Sequence, residues 1–195
     1  MKIISFIHTD IFNTKLFNSV IAQIIDYPGV NKVVINTVDL VDKRILNNVL
    51  YLQKKYNRVD VIIKEIVRED FIGGILSTLQ LFENDEFLIL DLGCNLNYID
   101  IEGFFSYSDA LGVSRKVRCE YTYSLDVDDE GNIINIHSGL EGSYVFSGIA
   151  KMSKEFIKTL KKLLLLYYNP EYIKFENLIT SYIRRGGLIK ALSID

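Results

Sequence analysis

Two polar side chains stand directly behind apolar runs that are typical of buried strands. His8 follows the run Lys2–Ile7, and Asp91 follows the run from Phe87 to Leu90. In open α/β sheets, ligands bind in the crevice outside the carboxyl ends of the strands. A carboxylate at such a place can hold Mg²⁺, and an imidazole can exchange protons near neutral pH. We therefore predict that Asp91 lines a pocket, with His8 beside it; the alternatives are a turn cap and a structural histidine.

Lys15 and three glycines complete the set of candidate residues. Lys15 lies near the start of a predicted helix, where an ammonium group either meets a phosphate or is simply solvated. Gly73 and Gly74 precede another predicted helix. This doublet is either a turn against a ligand or a loop that lets the helix start close to the sheet. Gly148 belongs to a later strand pattern at 144–150.

The first half of the chain alternates strand and helix patterns. Continuous apolar runs of strand length are separated by stretches in which apolar residues recur every three or four positions. The predicted strands cover 2–7, 32–36, 59–66 and 87–90, and the predicted helices cover 16–25, 43–56 and 74–82. Such alternation implies right-handed crossovers and a mostly parallel sheet with helices on both faces. The order of the strands stays open at this point.

The second half has a different rhythm. Apolar and polar residues alternate over 117–127, and the run DDEGN at 128–132 has strong turn chemistry, which predicts an antiparallel hairpin with a second strand at 133–136. A strand at 144–150, a helix capped by Ser153, a final helix ending at Gly186-Gly187 and a last strand at 188–193 follow. We therefore predict one α/β domain over 1–195, doubly wound through 1–91 and mixed over 92–195.

Composition and charge restrict the partners. With 195 residues, of which 49% are hydrophobic and 24% charged, the chain suits one globular domain. A net charge of -3 provides no overall positive field for nucleic acid or an anionic membrane. The longest apolar stretch, 163–168, is far shorter than the roughly 20 residues that cross a bilayer, and the start lacks a signal-peptide core. We therefore expect a cytoplasmic protein. We also expect no zinc site, because His8 and His137 lack ligand-like partners at short spacing.

Several motifs, taken in order, resemble those of the GT-A-type sugar-phosphate and alcohol-phosphate nucleotidyltransferases. They are GGILSTL at 73–79, NDEFLILD at 84–91, VDDEGNI at 127–133 and FSGIAKMS at 146–153. The resemblance implies a nucleotide-binding half over 1–91 and a substrate half with the hairpin over 92–195. It also implies that Gly73 and Gly74 lie against the base and that Gly148 lies where substrate loops gather. Lys15 then matches the family lysine that meets phosphate, and Asp91 is the nearest match to the aspartate that holds Mg²⁺.

The segment after the first strand departs from the family pattern. Active members carry a glycine-rich loop there, because backbone N–H groups must approach the triphosphate closely. The segment at 5–15, SFIHTDIFNTK, contains neither glycine nor arginine, and its Asp10 adds a negative charge. The metal-binding aspartate of the family falls on Gly93, two residues beyond Asp91, and its partner falls on Asp195.

These departures predict a diverged relative that is catalytically weakened or lapsed. We expect a subunit that binds a nucleotide or sugar phosphate or acts as a scaffold, within a homo- or hetero-oligomer. One alternative is an active sugar- or alcohol-phosphate nucleotidyltransferase that uses Mg²⁺, Lys15 and Asp91; the lapsed form needs no cofactor. A second is a GT-A-type glycosyltransferase, whose usual Asp-x-Asp pair is reduced here to DLG at 91–93.

Overall fold

The computed structural model describes residues 2–7, 23–37, 43–66, 68, 70–81, 86–91, 100–115, 123–166 and 172–194. The strands are β1 (Lys2–Ile7), β2 (Val30–Thr37), β3 (Asp60–Glu65), β4 (Glu86–Asp91), β5 (Ala110–Ser114), β6 (Tyr123–Val127), β7 (Ile133–Ser138), β8 (Tyr144–Met152) and β9 (Lys190–Ser193). The helices are α1 (Lys43–Lys55), α2 (Phe71–Leu81), α3 (Ile101–Ser106), α4 (Lys154–Leu166) and α5 (Phe175–Ile183). Among the described helices, none is both long and apolar enough to cross a membrane.

A single mixed sheet runs through the molecule in the order β3-β2-β1-β4-β8-β5-β9. The strands β3, β2, β1 and β4 are parallel neighbours, so their carboxyl ends meet at one edge, here called the carboxyl edge. β8 is antiparallel to both β4 and β5, and β9 is parallel to β5. The predicted mostly parallel α/β sheet is therefore confirmed, and the strand order is a new finding.

β8 joins the two halves of the molecule. Its last residues pair with β4, its first residues pair with β6, and β5 lies along its other side. The β5–β8 register jumps between Leu111↔Ala150 and Val113↔Phe146, so that a bulge stands opposite Gly112. The predicted antiparallel hairpin is present as β6 and β7, and it extends the sheet beside the first part of β8.

Helices cover both faces of the sheet, because alternate strand residues are apolar on both sides. One hydrophobic cluster contains apolar residues of α2, α4 and α5 together with Val34, Ile89 and Phe146 from the strands. The other contains apolar residues of α1 and α3, helical Ile24 and Ile25, and Ile35 and Leu90. This two-sided burial is what a doubly wound sheet requires.

One helix boundary and two short elements correct the sequence interpretation. α2 begins at Phe71 and not at Gly74, because the Asp70 carboxylate accepts a hydrogen bond from the Gly73 N–H at 2.8 Å and caps the helix earlier. The short elements α3 and β5 were not predicted at all. By contrast, Ser153 caps α4 as expected, with the Phe156 N–H donating to its Oγ at 3.3 Å.

Candidate ligand-binding crevice

Asp91 is the last residue of β4 and lies at the carboxyl edge. It is opposite Ile7 of β1, which is in turn opposite Asn36 of β2. Since successive strand residues alternate between faces, the Asp91 side chain lies on the face of Ile89, the side covered by α2. Only 4% of the residue is exposed, and it interacts with neighbouring groups. Asp91 is therefore placed where such sheets bind ligands, but nearly sealed.

Asn36 connects β2 to α2 under the same edge. The side chain is fully buried, and its Oδ1 accepts a hydrogen bond from the Ser77 hydroxyl of α2. Ser77 Oγ and Thr78 Oγ1 also donate to the carbonyl of Gly74, at 3.0 and 2.8 Å. These uncharged contacts fix the first turns of α2 against the sheet. Sequence reasoning missed Asn36, although it is a polar residue inside an apolar strand run.

Gly73 is in the first turn of α2, where a side chain does not fit. A Cβ at this position would lie 1.9 Å from the carbonyl oxygen of Arg68, which is a backbone atom. The close approach lets Arg68 fold back onto the helix start, where its Nε donates to Asp70 at 2.6 Å. Gly73 thus has a structural reason to be glycine, while its predicted place against a nucleotide base stays a prediction.

Gly148 is at the bulge of β8 with φ +80°, a backbone conformation that suits glycine. The last β4–β8 pair is Leu90↔Ile149, so Asp91 and Gly148 are the next residues along the two strands. Bulges are common beside active sites because they redirect the strand. Of the predicted site residues, Asp91 and Gly148 are therefore brought together by the fold.

Ser147 precedes Gly148 and was also missed. Its hydroxyl is fully buried and has no hydrogen-bond partner among the described residues. The space it occupies is left by Gly112, since a Cβ there would lie 2.3 Å from Ser147 Oγ.

An aromatic and ionic cluster joins the start of α2 to the second half. The Phe71 ring contacts those of Phe146 and Phe175, each with centroids 5.0 Å apart. Tyr123 packs on Phe175 at 5.5 Å. Burial raises the pKa of the Tyr123 phenol, and the charges of Asp70 and Glu176 raise it further. This neutral phenol stands where the two halves meet.

Two of the predicted site residues belong to parts of the chain that the structure does not describe. His8 and Lys15 lie outside the described residues, as do Asp10, Gly93 and Asp195. His137 is on β7, where its Nε2 is 2.7 Å from Asp126 Oδ2, and it shares no described contact with Asp91.

The described residues fit Mg²⁺ poorly. A magnesium site takes oxygen ligands and commonly uses one or two carboxylates besides the substrate phosphates. At the carboxyl edge Asp91 would be the ligand, yet it is buried and already engaged. Within the described ranges, no group of three His, Cys, Asp or Glu side chains lies close enough to hold a metal ion.

Comparison with solved structures shows that sugar-phosphate and alcohol-phosphate nucleotidyltransferases share this fold. The inositol-1-phosphate CTP transferase from T. maritima matches with TM-score 0.66 and 13% identity, over 99% of this chain and 85% of its own. CMP:2-keto-3-deoxy-manno-octonic acid synthetase, complexed with CTP, matches with TM-score 0.60 and 13% identity, over 98% and 88%.

A third similar structure is the CTP:phosphocholine cytidylyltransferase from Streptococcus pneumoniae, with TM-score 0.62 and 9% identity, over 100% of this chain and 89% of its own. In sequence, no family model and no curated protein matches the chain. The resemblance predicted from the ordered motifs is therefore confirmed for the fold, which is of the GT-A-like kind.

Proposed function

We propose that this chain binds a nucleotide or sugar phosphate at the carboxyl edge and transfers nucleotidyl groups weakly or not at all. One observation carries the proposal. In this nucleotidyltransferase-like fold Asp91 is at the carboxyl end of β4, whereas the segment at 5–15, which includes the end of β1, has the sequence SFIHTDIFNTK, without glycine or arginine. A crevice with that fold and without a phosphate-cradling loop suits binding better than catalysis.

The physical reason is the charge of the reacting group. Nucleotidyl transfer needs cations and backbone N–H groups that neutralise the phosphates as charge shifts to the leaving pyrophosphate. In the segment 5–15 one lysine, Lys15, is opposed by Asp10. At the described edge, the guanidinium of Arg68 is paired with the Asp70 carboxylate. The transition state would receive little stabilisation here.

The alternative is an active Mg²⁺-dependent transferase in which Asp91 holds the metal and Lys15 meets the phosphate. The position of Asp91 at the end of β4 favours it. In that case the acceptor would be a sugar or alcohol phosphate, as the names of the similar structures suggest.

Two measurements on the full chain separate these readings. Calorimetry with CTP, UTP, GTP, ATP, the corresponding monophosphates and sugar phosphates tests binding, and pyrophosphate release in the presence of inositol 1-phosphate or phosphocholine tests transfer. We expect binding of at least one compound and pyrophosphate release at the level without protein. Robust release establishes the active alternative, whereas the absence of heat with every compound contradicts the proposal.

We also propose the scaffold role within an oligomer that the sequence predicts, and it has its own test. Sedimentation velocity should show a stable oligomer of this chain, or a complex with a partner from a native lysate. A strictly monomeric profile without a recovered partner would leave ligand binding alone as the role of the chain.

A further inference from the structure

We infer that the outer face of α4 is a docking surface for an anionic lipid bilayer. This surface, here called the α4 face, consists of Lys154, Lys158, Lys161, Lys162, Leu165 and Leu166. The inference concerns a part of the molecule that the proposed function does not use.

The last turn of α4 presents two adjacent leucines to solvent. Leu165 is 87% and Leu166 74% exposed, the two largest values among the large apolar residues of the described ranges. The buried side of the helix is supplied by Phe156, Leu160 and Leu163 instead. Single exposed leucines are normal on a protein surface, whereas neighbouring ones form an apolar patch of the kind that marks an interaction site.

Lysines lie on the same side of α4 as the first of these leucines. Lys162, Lys161 and Lys158 precede Leu165 by three, four and seven residues, and these spacings put side chains on one face of a helix. Lys162 is exposed, and Lys161 is half-buried. Lys158 is paired with Glu155, one turn nearer the start of the helix. Lys161 and Lys162 are therefore the ammonium groups nearest to Leu165 along α4.

The charge around the α4 face is positive although that of the chain is negative. Residues 154–176, which run from α4 into α5, contain five lysines and three glutamates, a surplus of two positive charges, and no arginine, aspartate or histidine. Two of the glutamates lie beside lysines, since Glu155 pairs with Lys158 and Glu176 is 3.9 Å from Lys174. With a net charge of -3 for the whole chain, attraction to an anionic surface must be local.

The shape of the α4 face favours a bilayer over a protein partner. Side chains as exposed as Leu165 and Leu166 protrude, and a fluid bilayer accepts them without a matching pocket. The lysine stems can then extend to the lipid phosphates while the leucines enter the acyl boundary. A two-fold contact between copies of the chain would instead set Lys161 and Lys162 against their equivalents, which like-charge repulsion disfavours.

α1 carries a second exposed apolar pair that serves as the comparison. Leu50 is 63% and Tyr51 50% exposed. The ammonium group of Lys55 lies over the rings of Tyr51 and Tyr56, 5.5 and 5.0 Å from their centroids. Because the apolar residues of α1 and α4 belong to clusters on opposite faces of the sheet, one flat bilayer cannot contact both helices. Leu50 is therefore a matched control for Leu165.

The chain contains no tryptophan, so a single introduced indole reports its own surroundings. The probe is a vesicle of phosphatidylserine and phosphatidylcholine in equal parts, added to the full chain at low salt. The emission of Leu165→Trp should shift to the blue and should be quenched by brominated lipid. Vesicles of phosphatidylcholine alone, or high salt, should give no shift, because the lysines require anionic headgroups. Leu50→Trp should give no shift with either vesicle.

Three results of this experiment overturn the inference. They are no shift for Leu165→Trp with the anionic vesicles, an equal shift with neutral vesicles, and a shift for Leu50→Trp as large as that for Leu165→Trp. A shift for Leu165→Trp that grows with protein concentration in the absence of lipid, or that polyglutamate causes and vesicles do not, assigns the α4 face to a second copy or to an acidic protein. Either of those outcomes also contradicts the bilayer.

Co-sedimentation with the same vesicles measures the strength of binding. The double variants Leu165→Gln with Leu166→Gln, and Lys161→Gln with Lys162→Gln, should each lower the partition coefficient at least about tenfold. Leu50→Gln should change it by less than about twofold. Thermal melting should be nearly unchanged in all of them, because the substituted groups lie at the surface. Equal partitioning of the double variants and the native chain overturns the inference, and calorimetry tests the proposed function separately.

Discussion

At the amino edge of the parallel strands one buried carboxylate, Asp109, accepts three hydrogen bonds from the protein, whereas at the carboxyl edge the buried Asp91 lies beside the neutral Asn36–Ser77 pair. At the amino edge, Asp109 accepts hydrogen bonds from the N–H of Ser153 at 2.7 Å, from Ser153 Oγ at 2.9 Å and from Tyr182 Oη at 2.8 Å. Lys151 meets Glu86 at 3.1 Å. A buried carboxylate that accepts three hydrogen bonds from the protein holds elements together and has little capacity left for a ligand.

The two edges therefore have different roles: the amino edge stabilises the fold, and the carboxyl edge is the candidate binding site. Asp109 joins β5, the start of α4 and α5, three elements that are distant in sequence. Substitutions there should change stability and leave ligand binding alone. Substitutions at the carboxyl edge should change binding as well, and the following predictions test that division.

The largest effect is expected from Asp109→Ala. It would leave the buried Ser153 and Tyr182 groups without their acceptor, which should lower the free energy of unfolding by about 4 kcal/mol. Urea denaturation measures the loss. Asp126→Ala removes a partly exposed pair with His137, should cost about 1 kcal/mol or less, and serves as the control. A loss below that of the control would show that the amino-edge cluster does not stabilise the fold.

Lys151→Met should come next. The ammonium group is buried and donates to the carbonyls of Ser108 at 2.7 Å and Tyr107 at 3.4 Å, so its removal deprives two carbonyls of their donor and Glu86 of its partner. We expect a loss of about 3 kcal/mol. Glu86→Gln retains a polar group at a half-exposed position and should cost about 1 kcal/mol or less. Equal losses in the two variants would contradict the role assigned to the lysine.

Two glycine substitutions compare the candidate site with a position away from it. Gly73→Ala forces a Cβ against the Arg68 carbonyl and should cost about 2 kcal/mol while weakening ligand binding. Gly186→Ala, at φ +85° with open space around it, should cost about 1 kcal/mol and leave binding unchanged. Thermal melting and calorimetry measure the two properties. Weaker ligand binding in Gly186→Ala would contradict the assignment of binding to the carboxyl edge.

The smallest effect concerns alkaline pH. Burial, then the hydrogen bond to Asp109, raises the pKa of Tyr182 from 10.0 to about 12. The folded state retains this proton to higher pH than the unfolded state does. Tyr182 therefore contributes less than about 2 kcal/mol to the free energy of unfolding, and this contribution is complete below pH 10 and is lost as the pH rises through about 12. Across this range, the free energy of unfolding should fall more steeply with pH in the native chain than in Tyr182→Phe. Identical slopes would show that Tyr182 is not responsible.

The fold was largely predictable because its central strands appear in the sequence as continuous apolar runs. The run Phe87–Leu90 is buried on both faces, which is why it reads as continuous apolar sequence. The five-residue β5 was missed since Gly112 and Ser114 interrupt its pattern, and the six-residue α3 is too short for a helical period. Strand order was out of reach because it depends on tertiary pairing and not on local periodicity.

The site was less predictable than the fold. Asp91 was found because it follows a strand, and Gly148 because a motif contains it, but the bulge that brings them together depends on pairing with β4 and β5. The Asp109–Ser153–Tyr182 cluster spans separations of 44 and 73 residues, and no sequence pattern connects such positions. His8 and Lys15 remain predictions.

The place of β8 between β4 and β5 has a consequence for synthesis on the ribosome. Leu90 pairs with Ile149, so the outer edge of β4 waits until much of the chain has been translated before its antiparallel neighbour arrives. During that interval the apolar β4 has an open hydrogen-bonding edge, a template for pairing with other chains. We therefore expect nascent chains that end before residue 144 to depend on chaperones, and the first half alone to aggregate when expressed.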